Sequence, residues 1–162
     1  MRKLCCRGFL LGEFLHDNDF KDAIIDALID IIKTSSNTYY TSGFNYVYKN
    51  TPEDSPLRRL FVDQLVYTRP KNMPARVQAL RKTDVTPEAL FDIILAMAAT
   101  KEADSASSSD APFSKNTCHY HVHGSENPCY KVKYKITGVL RPSLSTTSED
   151  STTKLDATET TA

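Results

Sequence analysis

The sequence predicts a mainly α fold. It has a small helical domain over residues 1–100, a linker over 101–117, a short β/metal-knuckle island over 118–141 and a disordered Ser/Thr-rich tail over 142–162. Three observations carry this reading. Apolar residues recur at helical spacing through the first hundred positions, behind Ser-Pro and Thr-Pro pairs that start helices. Three of the four histidines and two of the four cysteines crowd into residues 118–129. The last 22 residues hold 11 Ser or Thr and almost nothing to bury.

The elements follow in chain order. Phe9 to Leu15 reads as the end of a first helix, and the turn at His16-Asp17-Asn18, with His16 as a solvated cap, ties it to the next. Asp17-Asn18-Asp19 offers capping side chains in front of a helix over Phe20 to Lys33. On that helix Asp22, Asp26, Asp30 and Lys33 form one narrow polar stripe at i, i+4, i+8 and i+11. The rest of its circumference is largely apolar, so the helix must be buried against several neighbours, and the stripe reads as its solvated face. Thr41 to Pro52 alternates Phe44, Tyr46 and Tyr48, which fits a short extended segment or an irregular helix.

Ser55-Pro56 and Thr86-Pro87 each put a hydroxyl at the N-cap and proline at the first helical position. Leu57, Leu60, Phe61 and Leu65 follow the first pair; Leu90, Phe91, Ile94 and Leu95 follow the second. Arg58 and Arg59 oppose the dipole at their helix start, which calls for acidic partners such as Asp54 or Asp63, or for an external contact. Lys101 to Thr117 is too polar to pack and reads as a linker.

Composition excludes several classes. Twenty Lys and Arg balance twenty Asp and Glu, which argues against a surface built throughout for nucleic acid or anionic membrane. The balance is a cancellation: 13 basic against 12 acidic residues through residue 100, a net +3 over 118–141 and a net −3 from Pro142 onward. Four cysteines, with Cys5 and Cys6 vicinal, are too few for a secreted disulfide scaffold. Arg7 and Glu13 interrupt the stretch after the signal-like Met1-Arg2-Lys3-Leu4, and no run reaches the roughly 18 apolar residues of a membrane span. The expectation is a reduced, soluble, intracellular protein of cytoplasm or nucleus. No GxxxxGK, GxGxxG or GxSxG occurs, so no catalytic residue is assigned and an enzyme is not expected.

The island reads Cys118-His119-Tyr120-His121-Val122-His123-Gly124-Ser125-Glu126-Asn127-Pro128-Cys129. Zinc takes thiolate and imidazole in tetrahedral sites, and closely spaced ligands let one short loop wrap an ion. Cys118, His121, His123 and Cys129 make the natural closed Cys2His2 set for a structural zinc, with Gly124, Asn127 and Pro128 turning the chain between them. His119 then lies outside the ligand set. Two rivals stand beside it. In an extended strand His119, His121 and His123 share one face and leave an open, catalytic metal position; alternatively the loop binds nothing. Lys131 to Ile136 alternates with period two, with lysines on one face and Val132, Tyr134 and Ile136 on the other, as in a half-buried strand.

Two segments carry a resemblance. Leu10-Leu11-Gly12-Glu13-Phe14-Leu15-His16-Asp17-Asn18-Asp19-Phe20-Lys21-Asp22-Ala23-Ile24-Ile25-Asp26-Ala27-Leu28 is one. The other is Tyr48-Lys49-Asn50-Thr51-Pro52-Glu53-Asp54-Ser55-Pro56-Leu57-Arg58-Arg59-Leu60-Phe61-Val62-Asp63. Together with Cys118-His119-Tyr120-His121-Val122-His123, they resemble the helical region that follows the BTB/POZ domain in a large group of fungal BTB proteins. The resemblance spans roughly residues 9–129, and the second segment is its most specific part. No BTB core precedes residue 9, so the resemblance implies the C-terminal portion of such a protein or a truncated gene product. It implies a non-enzymatic protein-interaction module of a BTB-type adaptor, without the surfaces for dimerisation or cullin binding. Protein partners are expected, and membranes are not. The alternative is a zinc-dependent nucleic-acid-binding protein that uses the lysine strip 131–135.

Overall fold

The computed structural model describes residues 1–34, 43–67, 78–83, 85–102, 110–124 and 126–135. The expected tail over 142–162, the centre of the expected linker and Ile136 lie outside these residues. The main helices are α1 (Arg2–Leu15), α2 (Asn18–Thr34), α3 (Gly43–Asn50), α4 (Pro56–Tyr67) and α5 (Pro87–Glu102). Two single-turn helices follow, α6 (Pro112–Lys115) and α7 (Tyr130–Lys133), with a 3-10 turn at Thr117–Tyr120 between them. The mainly α class is what the structure has, and no strand occurs among the described residues.

Helices α1 and α2 form a hairpin closed by local chemistry. His16 adopts the left-handed conformation (φ 53°), so its N–H donates to Glu13 O while the Asp17 N–H reaches Gly12 O at 3.0 Å. This double bond satisfies carbonyls that the helix end would leave free. Asp17 then caps α2, its Oδ1 accepting from the Phe20 N–H at 2.9 Å. The helices cross closely at Gly12, where an added Cβ would stand 2.6 Å from Lys21 Cγ. The Ser55 Oγ accepts from the Leu57 N–H at 3.3 Å and the Thr86 Oγ1 from the Ala89 N–H at 3.4 Å, so both hydroxyl–proline starts act as read.

Thr41–Pro52, left open between strand and helix, contains α3, whose Phe44, Val47 and Tyr48 enter the core. The arginine expectation needs correction. Arg58 stacks over the Tyr48 ring and donates to the carbonyls of Tyr48 and Thr51 and to Thr51 Oγ1, while Arg59 donates to the Asp54 carbonyl. The partners of Arg58 are carbonyls at the C-terminal end of α3, where positive charge suits the dipole, and that of Arg59 lies in the turn before α4.

The core gathers Phe9, Ile25, Leu28, Ile29, Val47, Leu57 and Leu60, and Tyr120 joins it from the Cys–His segment. Cys6 is buried in the same core, and burial first, with the neighbouring Cys5, pushes its thiol up to about 12. It therefore packs as a small apolar side chain rather than reacting. The linker reading also changes at both ends: α5 runs to Glu102, and Ala111 and Phe113 are buried.

Candidate metal centre

Cys118 lies in the 3-10 turn, His121 at its end, His123 in the following bend and Cys129 just before α7. The chain turns back at Gly124, which has a positive φ (67°) and open space around it. These bends bring one ligand atom from each of the four residues within 4.8 Å of one another. The cluster can hold a metal ion. His119 is outside it, exposed and set edge-on against Tyr120, and Glu126 is exposed on the surface.

The strand-based rival does not match the backbone. Thr117–Tyr120 is a 3-10 turn, so the three histidines do not alternate along an extended segment. The expected strand over Lys131–Ile136 is likewise corrected, because Tyr130–Lys133 is a helical turn and Val132 and Tyr134 are 70% and 65% exposed. Among the described residues there is no sheet for Val132 and Tyr134 to pack against.

The segment is anchored on α2 by two residues of its polar stripe, Asp22 and Asp26, which corrects the expectation of a wholly solvated stripe. Asp22 is fully buried and Asp26 nearly so, whereas Asp30 and Lys33 are exposed. Spacing of four put both carboxylates on one helical face, and the Cys–His segment covers that face. Asp22 Oδ1 accepts from the Val122 N–H at 2.7 Å. Asp26 Oδ2 receives the Tyr130 hydroxyl at 2.7 Å and Lys131 Nζ at 2.8 Å, and lies 3.2 Å from His121 Nε2. Lys131 also donates to Thr117 Oγ1, and Lys133 pairs with Asp19 at 2.8 Å. On the other side Tyr120 donates to Asp63 Oδ2 at 2.6 Å, tying the 3-10 turn to α4.

Electrostatics follow from these contacts. Burial raises the Asp26 carboxyl, but His121, Lys131, Tyr130 and Thr117 together overcome it and hold the group well below the usual carboxylate range. Asp22 moves the other way: burial dominates and raises it, against the Val122 N–H. Burial and the adjacent Cys129 raise the Cys118 thiol, so in the metal-free state it favours the protonated form.

One buried atom tests the fit to a metal: His123 Nε2 is buried without a hydrogen-bond partner. An unpaired buried nitrogen costs about 1–3 kcal/mol, and a cation among the four ligands satisfies His123 directly. Two sulfurs and two imidazoles form a soft-to-borderline donor set with no hard oxygen ligand, which fits zinc and not calcium or magnesium.

Comparison with known proteins gives no match: no family model fits the chain, and neither a curated protein nor a solved structure is detectably similar to it. No helix among the described residues is long and apolar enough to cross a membrane.

Proposed function

We propose that the chain is a non-enzymatic protein-interaction module of a BTB-type adaptor, in which a structural zinc ion clamps the Cys–His segment onto the helices. The observation that carries the zinc clamp is the convergence of Cys118, His121, His123 and Cys129, each offering one ligand atom within 4.8 Å of the others. Four protein ligands complete a tetrahedral shell and leave no position for substrate, which is the structural rather than the catalytic arrangement. When bound, zinc would supply folding energy to a segment in which, among the described residues, only Tyr120 and Tyr130 are buried large apolar groups.

The interaction role is supported by α5. Leu90, Phe91, Ile94 and Leu95 are 43–67% exposed and lie on adjacent turns, giving the surface a contiguous apolar face. Two of the three lysines of the strip 131–135, Lys131 and Lys133, are engaged with Asp26 and Asp19, which weighs against the nucleic-acid alternative. Affinity capture from native cells, comparing wild type with the F91E/L95E pair, tests the role. Specific partners that require the apolar face support it. Identical capture by both proteins counts against it.

A further inference from the structure

His121 and His123 present different nitrogens to the cluster. His123 Nδ1 lies 2.5 Å from the Gly124 carbonyl oxygen. A carbonyl can only accept, so Nδ1 carries the proton, and the buried, unpartnered Nε2 keeps its lone pair. The His121 ring is turned the other way. Its Nδ1 faces Cys129 Sγ at 3.6 Å, and its Nε2 lies 3.2 Å from Asp26 Oδ2. Asp22 Oδ2, 3.8 Å from Nδ1, is too distant to hydrogen-bond it. The nitrogen facing the thiol is thus Nδ1, and the nitrogen facing the helix is Nε2.

Metal-bound histidines commonly give their second N–H to a carboxylate, which sets tautomer and ring orientation. Here the available carboxylate is Asp26: His121 Nε2, buried and not aligned with any acceptor, lies 3.2 Å from its Oδ2 and can donate there after a small turn of the ring. We infer that α2 supplies the outer shell of the metal centre: Asp26 positions His121 as the Nε2–H tautomer that ligates through Nδ1, while His123 ligates through Nε2. Asp22 fixes the intervening backbone by accepting the Val122 N–H. Opposite tautomers two residues apart suit a short loop, because one ligand reaches the ion by its near nitrogen and the next by its far one. The inference rests on the zinc reading above and extends the centre from four residues to six.

The test uses the full 15N-labelled chain loaded with Zn2+. Long-range 1H–15N correlation of the imidazoles should show His121 protonated at Nε2 with metal-bound Nδ1, and His123 with the reverse pattern. A zinc-loaded chain in which His121 ligates through Nε2 overturns the inference alone, whereas a chain that takes up no zinc overturns the zinc reading with it. Competition against a chromophoric chelator adds a second arm. Asp26→Asn should lose about 10–100-fold in zinc affinity, with partial recovery in Asp26→Glu, at unchanged helical circular dichroism. An Asp26→Asn affinity within about twofold of wild type contradicts the positioning role. The wild-type tautomer measurement decides the matter even if that variant does not fold.

Discussion

Tyr120→Phe isolates the contact that ties the Cys–His segment to the helical core. The ring is fully buried, and its hydroxyl donates to Asp63 Oδ2 at 2.6 Å. Phenylalanine keeps the ring and removes only that bond. A hydrogen bond to a charged group is worth about 1.5–3 kcal/mol. Asp63 is half-buried, so water can reach the vacated oxygen, and the cost should fall near the lower end, about 1.5 kcal/mol. Tyr120→Ala also removes the ring from the core and leaves a cavity, at about 3–5 kcal/mol. For a chain of this size, 1 kcal/mol shifts Tm by about 2–4 °C. The two variants should therefore melt about 3–6 °C and about 6–20 °C below wild type. Thermal melts followed by circular dichroism at pH 7 read both shifts, and urea unfolding gives the free energies, with an unchanged m-value confirming a native-state effect. A Tyr120→Phe loss below about 0.5 kcal/mol, together with a Tyr120→Ala loss below about 1, would refute the docking of this segment on α4.

Other expectations follow from the same contacts. Gly12→Ala should destabilise by about 1 kcal/mol or more despite alanine's helix preference, because its Cβ meets the stem of buried Lys21 at the hairpin crossing; a rise in Tm would contradict this. Ser55→Ala should cost about 1 kcal/mol through the lost cap on α4, read as a lower urea midpoint. The F91E/L95E pair should stay within about 0.5 kcal/mol of wild-type stability, since both side chains are mostly exposed, and a large loss of Tm would place that face in the core instead.

Local chemistry made part of this fold legible. Ser55 and Thr86 announce α4 and α5 because a cap and its N–H lie two or three residues apart. The four ligands are legible for a similar reason: one loop of twelve residues carries them all. The polar stripe of α2 was misread because solvent and a polar partner leave the same pattern on a helix. The partner of Asp22 lies 100 residues away and that of Asp26 104 away. One clue was present: Asp22 and Asp26 interrupt an otherwise apolar circumference, and a helix with few free faces must cover its polar residues too. The alternation that suggests a strand over 131–136 misleads at 131–133, because a few alternating residues suit a single helical turn equally well and only burial distinguishes the two.

A structural zinc requires one metal ion per chain, and metal analysis of the chain purified under reducing, chelator-free conditions measures it. One zinc per chain is expected, lost in both Cys118→Ser and Cys129→Ser, with removal by chelator lowering Tm. Less than about 0.1 zinc per chain, with a Tm indifferent to chelator, would contradict a structural metal.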